Sequence, residues 1–267
     1  MSTDTNMTDQ FGELNSSPDV HPGFAEVPDQ FFRPKFGWYV AVRPVLDGFF
    51  GLILLICLSP VILAAAIAVK LTSTGPIFYC QMRLGRNGRP FTMIKLRSMV
   101  HNAEALTGPV WATANDPRTT HLGRFLRDSH IDEFPQLLNV IQGQMSLIGP
   151  RPERPEIAKA LKWEVPHFDQ RLQVRPGITG LAQLMLPPDS TIEDVRTKFL
   201  SDICYIRDMN PWLDTRVCLY TCVYLLRASW FGILNLVSLP SPTRVEQKLA
   251  ADSNPETVSL ICGRVGG

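Results

Sequence analysis

Two adjacent carboxylates, Asp132 and Glu133, sit near the start of Ile131-Asp-Glu-Phe-Pro-Gln-Leu-Leu-Asn-Val-Ile-Gln-Gly143, and they are where chemistry is most legible in this chain. Phe134, Leu137, Leu138 and Ile141 recur at i, i+3, i+4 and i+7, which predicts a helix with one apolar stripe that ends before Gly143. Pro135 suits a first turn, where the N–H that proline lacks would have no intrahelical partner. This register places both carboxylates at the positive end of a helix dipole, an environment that keeps a carboxylate ionised and also attracts phosphate. Taken by themselves, the two residues are better accounted for by ordinary capping. The surrounding residues weigh against that plainer explanation.

Arg118, Arg124 and Arg127 lead into the pair, and two turn-rich loops follow it: Ser146-Leu-Ile-Gly-Pro-Arg-Pro-Glu153, presenting Arg151, and Arg175-Pro-Gly-Ile-Thr-Gly180. Guanidinium forks suit bidentate phosphate binding, and glycines let backbone N–H groups approach an anion closely. Neither GxxxxGK[ST] nor a strand-coupled GxGxxG occurs, so a P-loop or Rossmann nucleotide site is not expected. The five histidines form no HxxxH or HExxH pattern and the six cysteines no CxxC pair, which argues against a zinc site and for free thiols in a reducing compartment.

The elements that must hold these residues are readable in outline. At 267 residues, 45% hydrophobic and with net charge +1, the chain suits one sizeable domain with tails and is not a nucleic-acid binder by charge. Residues 1–32 carry six Asp or Glu and no Lys or Arg and read as a tail rather than a secretory signal. Phe49 to Val69 is a run of 21 uncharged residues, enough for a helix to cross a hydrocarbon core of roughly 30 Å. Ser59-Pro60 at its midpoint predicts a bend, and basic residues on both flanks set no clear orientation. A full span and a re-entrant helix–break–helix that returns to the same face are both consistent with these residues, while a buried helix of a soluble protein, the third alternative, rarely runs 21 residues uncharged. Ile77–Met82 and Phe91–Arg97 read as two strands joined by Gly85-Arg-Asn-Gly88. Five basic and no acidic residues between Met82 and Arg97 would face anionic lipid or a phosphate ligand. Thr191 to Met209 reads as a helix, with Asp202 and Tyr205 one turn apart. Trp212 to Leu226 reads as another, suited to a headgroup interface or to a core. The chain from Pro240 onward returns to tail-like composition.

Taken together, the apolar helix broken at Ser59-Pro60, Lys95-Leu-Arg-Ser-Met99, Asp116-Pro-Arg118, Asp132-Glu-Phe-Pro-Gln-Leu, Met145-Ser-Leu-Ile-Gly-Pro-Arg-Pro152, Arg175-Pro-Gly-Ile-Thr-Gly180 and Asp202-x-x-Tyr205 resemble the bacterial sugar transferases, or monotopic phosphoglycosyl transferases. The resemblance runs from about Arg43 to Leu226. It implies an α+β, mostly helical fold: a re-entrant membrane helix hairpin over residues 36–72 and a cytoplasmic catalytic domain over 73–238 with a small β-hairpin and interfacial helices, flanked by tails over 1–35 and 239–267. It implies transfer of a phosphosugar from a UDP-sugar to a polyprenyl (undecaprenyl) phosphate at the bacterial inner membrane, with release of UMP and Mg²⁺ as cofactor. Membrane lipid, and either further copies of the chain or polysaccharide assembly proteins, are the other implied partners, and nucleic acid is not one. By the same resemblance Asp132 is the nucleophile, Glu133 serves metal binding or proton management, and both face the metal. Substrate contacts fall on Lys95, Arg97, Arg151, Arg175, Asp202 and Tyr205. Two departures stand out: Gly143-Gln-Met-Ser146 replaces a common Gly-Asp-Met-Ser, and Leu181–Asp189 replaces a polar Asn-Gly-rich loop. The missing carboxylate at Gln144 is what gives weight to the competing expectation, a non-catalytic membrane scaffold in a polysaccharide assembly complex.

Overall fold

A computed structural model describes residues 32–103, 116–165, 167–187 and 191–225. The first element, α1, is helical throughout Gly37–Thr72, with both Pro44 and Pro60 inside it. By length and composition it is apolar enough to cross a membrane. Ser59, at the expected break, donates its hydroxyl proton to the Ile56 carbonyl at 2.7 Å, one of the local bonds that re-satisfy backbone near a helical proline.

The strands expected after it form a hairpin of β1 (Phe78–Leu84) and β2 (Pro90–Leu96), in antiparallel register with Phe78 opposite Leu96 and Leu84 opposite Pro90. Helix α2 (His121–Asp128) follows, capped by Thr120. The dyad segment departs from expectation. Residues Ile131–Gln136 form a 3₁₀ helix, and only Leu137–Ile141 (α3) is α-helical. His130 in the left-handed region and the bond from Glu133 N–H to the His130 carbonyl, 3.2 Å, tighten the entry, and Pro135 has no N–H to give an α-helical ladder. A segment that winds three residues per turn slips out of phase with a 3.6-residue stripe. Leu137 and Val140 are therefore buried, whereas Leu138 and Ile141 stay partly exposed.

A second sheet was not foreseen: β3 (Ser146–Ile148) pairs in parallel with β4 (Gly177–Thr179), joining the two turn-rich loops. Its tightness rests on glycine, since a Cβ at Gly177 would lie 2.1 Å from the Gly149 nitrogen. Between these strands lies α4 (Pro155–Glu164). After them come α5 (Leu181–Met185), which occupies part of the Leu181–Asp189 departure, α6 (Ile192–Asp208) and α7 (Pro211–Leu225). Thr191 and Asp194 close a reciprocal capping box on α6, confirming the expected helix to within a residue. The main core gathers Phe199, Ile203 and Ile206 of α6 with Leu161, Phe168 and Val217. Phe32 joins that core fully buried, within the stretch expected to be tail. Helix α7 buries Leu213, Asp214 and Val217 and leaves Trp212, Leu219 and Tyr224 exposed, so it serves as a core helix on one side only. Trp230, residues 226–238 and the tail over 239–267 lie outside the described residues.

Both ends of α1 rest on the same folded unit. Tyr39, Arg43, Asp47 and Gly51, spaced by four, are buried in its N-terminal half, and Ala65, Ala66 and Val69 near its C-terminal end. No residue from 52 to 64 is buried. Gly51 allows the helix to press on α3, where a Cβ would meet Val140 Cγ1 at 3.1 Å. The far end packs on Leu96 and Leu126, with Ile131 partly buried beside them.

Arg43 ties α1 to the rest. Its Nη2 donates to the Tyr205 hydroxyl at 2.7 Å and to the Ile148 carbonyl, and its Nε lies 3.2 Å from Asp214 Oδ2. Tyr39 and Tyr205 each donate to Asp214 at 2.7 Å, while Asp47 accepts from Ser146 Oγ at 2.6 Å and from Leu147 N–H at 3.1 Å. Removing one side of a buried ion pair strands the other charge, so Asp214→Ala should cost about 3–5 kcal/mol of unfolding free energy, against less than about 0.5 kcal/mol for Trp212→Ser on the outer face of the same helix. Thermal unfolding of the detergent-solubilised variants measures the contrast.

Candidate active site

The 3₁₀ helix sets Asp132 and Glu133 between the two places where α1 grips the domain, Ile131 on one side and Val140 on the other. Glu133 is held fast: its Oε1 accepts from Arg151 Nη2 at 2.8 Å. Arg151 is in turn fixed through its backbone carbonyl, which accepts from Arg171 Nη2 at 3.0 Å. Arg171 is clamped by Asp202 at 2.6 Å and lies 3.5 Å from Glu153. Asp132, 5% exposed, accepts no side-chain hydrogen bond from the described residues. One carboxylate is therefore locked and its neighbour is left available.

Electrostatics drive the pair further apart. Burial, and then the adjacent Glu133 charge, push Asp132 up to about 6 against the opposing pull of Lys95, Arg127 and Arg151. Burial would raise Glu133 as well, but Arg151 and Lys95 outweigh it and hold Glu133 down at about 2. Lys95, from β2, is lowered to about 8 by burial, with Glu133 resisting and Arg151 adding to the drop. At neutral pH the site thus presents two ionised carboxylates under a canopy of Lys95, Arg127 and Arg151. Titratable neighbours separated in this way are the usual sign of different roles.

The other expected contacts have different places. Tyr205 lies in the Arg43 cluster, and Asp202 is buried against Arg171, which reaches Glu133 through Arg151. Arg97 is buried and donates to the Ser73 carbonyl at 2.9 Å and to Ser73 Oγ at 2.6 Å, where it secures the end of α1. Arg175 approaches Gly143 and shares a cleft with Pro44, Asp47, Arg86 and Ser146, apart from the dyad. Of the six expected contacts, Lys95 and Arg151 are brought to the carboxylates. Arg127 reaches them too, held by bonds to Ser98 Oγ at 2.8 Å and Thr119 Oγ1 at 3.2 Å, and sequence reasoning had noted it only as part of a basic run. Arg43, Asp47, Arg171 and Asp214 were missed as site supports. The i, i+4 charges of Arg43 and Asp47 just ahead of a lipid-length apolar run are the signal that would have found the first two.

Among the described residues no group of three or more His, Cys, Asp or Glu side chains converges, so a resident cation would have two protein carboxylates at most. That donor set fits Mg²⁺, which commonly takes one or two carboxylates and completes its octahedron with substrate phosphates and water.

The raised Asp132 has a consequence for stability. Its folded-state value lies above the ordinary 3.8, so the folded protein retains a proton that the unfolded chain has already lost. The resulting stabilisation is complete below pH 3.8 and is lost as pH rises through about 6. Asp132→Asn, neutral throughout, should accordingly be more stable than wild type by up to about 3 kcal/mol at pH 7.5 and show no gain near pH 3.8. Melting curves of metal-free protein at the two pH values test this.

Comparison with known proteins agrees with the geometry. Residues 38–228 match the family described as "Bacterial sugar transferase". The chain is 39% identical over 222 residues to a UDP-glucose:undecaprenyl-phosphate glucose-1-phosphate transferase of Xanthomonas campestris pv. campestris, covering 81% of this chain and 45% of that protein. It is 38% identical over 183 residues to a UDP-N-acetylgalactosamine-undecaprenyl-phosphate N-acetylgalactosaminephosphotransferase of Aeromonas hydrophila, covering 68% and 43%. It is 41% identical over 186 residues to a UDP-glucose:undecaprenyl-phosphate glucose-1-phosphate transferase of Caulobacter vibrioides, covering 69% of each. The chain thus spans less than half the length of the first two relatives and about two thirds of the third. With the family model matched over more than half of its length, and with the dyad, Lys95 and the Arg151 loop inside the match, this chain belongs to the bacterial sugar transferase family.

Proposed function

We propose that the protein transfers a phosphosugar from a UDP-sugar to a membrane polyprenyl phosphate, the priming step of a surface polysaccharide or glycoconjugate, with Asp132 as nucleophile. The observation that carries this is the unequal treatment of the two carboxylates: Glu133 is committed to Arg151, whereas Asp132 is left without a side-chain hydrogen bond from the described residues, under Lys95 and Arg127. The names of the relatives supply the substrate class.

The reaction must bring anions together, and a carboxylate nucleophile divides it into two displacements. Asp132 Oδ attacks the sugar-bearing phosphorus, the bond from that phosphorus to the bridging oxygen breaks, and UMP leaves with the electron pair. An oxygen of the polyprenyl phosphate then attacks the same phosphorus and expels the Asp132 carboxylate, giving the polyprenyl-diphosphate-sugar. Lys95, Arg127 and Arg151 offset the charge that accumulates on the phosphoryl oxygens. Asp132, assisted by Glu133, would hold Mg²⁺ against the diphosphate, where the ion supplies charge neutralisation. Ionised Glu133 also holds Arg151 in place over the phosphates. Fixing the dyad to α1 sets it at a constant depth relative to the bilayer, which supplies proximity to a lipid-borne acceptor.

In this reading α1 enters and leaves the membrane on the cytoplasmic face. Support comes from the burial pattern: its two ends pack on one folded unit, with an apolar, unburied stretch between them, and a domain on one side of a bilayer cannot hold both ends of a straight span. Cysteines introduced singly at exposed Trp38 and Leu71, in a background without other accessible thiols, should both resist a membrane-impermeant maleimide in intact cells and react after permeabilisation. Labelling of Trp38→Cys alone from outside returns α1 to a full span.

The chemical step is tested without acceptor. Wild type incubated with Mg²⁺ and a UDP-sugar should gain the mass of one phosphosugar and release UMP. Asp132→Asn should form no adduct and lose turnover by a factor on the order of 10³ or more. Full activity in that variant restores the capping role to Asp132, and UMP release by wild type without any adduct replaces two steps by direct transfer.

A further inference from the structure

Among the described residues no strand lies beside the edge of β2 that faces away from β1, yet two of its groups are paired by a single side chain. Asn139 of α3, fully buried, accepts from Ile94 N–H at 3.2 Å and donates through Nδ2 to the Thr92 carbonyl at 2.8 Å. An outward N–H and the carbonyl two residues before it are what a neighbouring strand would engage, so the carboxamide acts as a one-residue strand partner. The second Nδ2 proton goes to Gln144 Oε1 at 2.7 Å, and the Asn139 carbonyl accepts from Gln144 and Met145 N–H at 2.9 and 3.1 Å. The residue after Ile94 is Lys95, and Asn139 follows the dyad on the same short segment.

We propose that Asn139 is a positioning residue that fixes Lys95 over Asp132 and Glu133, with Gln144 as the neutral acceptor that holds its carboxamide in orientation. The proposal rests on the reading of Lys95 as a phosphate-site cation. Gln144 thereby acquires a definite role, since its side chain is turned to Asn139 and an uncharged acceptor there completes the amide's bonding. Truncating Asn139 leaves the Ile94 N–H and the Thr92 carbonyl unpaired, frees this edge of β2 and lets Lys95 leave the carboxylates.

Two measurements separate positioning from simple structural support. The first is lysine acetylation of the full-length protein in detergent, followed by mass spectrometry. Lys95, half-buried, should react at least fivefold faster in Asn139→Ala than in wild type, while exposed Lys70 and Lys159 keep their rates. An unchanged Lys95 rate overturns the proposal. The second is a double-mutant cycle on UMP release: Asn139→Ala should lower kcat about tenfold in the wild-type background but less than twofold when Lys95→Met is already present. Equal losses in both backgrounds overturn it. If Asn139→Ala does not fold, Gln144→Leu, which leaves the bonds to β2 in place, takes its role, with a twofold rise in Lys95 acetylation expected and no rise overturning the proposal. Absence of UMP release from wild type defeats the functional reading itself, and the acetylation rates then decide the role of Asn139 alone.

Discussion

A guanidinium removed from water needs compensating charge and acceptors, and in this protein those around Arg43 come from four elements. Asp214 comes from α7, Tyr205 from α6, the Ile148 carbonyl from β3 and Asp47 from the next turn of α1. Such a cluster contributes little net stability compared with apolar residues of equal volume, because the desolvation cost consumes most of the Coulombic gain. What it supplies is a single allowed arrangement. Apolar contacts alone would let a long helix slide or rotate by a turn, whereas the Arg43 network and the Asp47 bonds to Ser146 and Leu147 fit one register. Since β3 leads directly into the Arg151 loop, the register of α1 is transmitted to the cation that holds Glu133.

The dyad itself illustrates how neighbouring residues of similar chemistry acquire different properties. Free Asp and Glu titrate within a unit of each other. Here a fork from Arg151 stabilises one charge, and that charge, together with burial, destabilises the other. Both carboxylates sit in the 3₁₀ turn that follows left-handed His130. A second layer keeps the fork in place: Asp202 and Glu153 hold Arg171, and Arg171 holds the Arg151 backbone. Asp202 therefore bears on the dyad through Arg171 and Arg151.

The chain alone disclosed the elements whose causes are local. The β1–β2 hairpin followed from β-rich segments around Asn87-Gly88, which adopt the left-handed conformations the turn requires, and α6 from the helical stretch Thr191 to Met209. The 21-residue apolar run marked a membrane-compatible helix, and the Asp132-Glu133 pair amid arginine-rich loops marked the candidate site. Tertiary structure decided which arginine meets which carboxylate, because Arg97, Arg118, Arg127, Arg151, Arg171 and Arg175 are alike in sequence and differ only in what folding brings within hydrogen-bonding distance. It also decided the parallel pairing of β3 with β4, whose partners lie some thirty residues apart and whose glycines signal close approach without naming the neighbour. The phase of the dyad segment was hidden for a related reason: a 3₁₀ turn is imposed by what closes around Pro135 and His130, so the periodicity that predicts an α-helix carries no record of it.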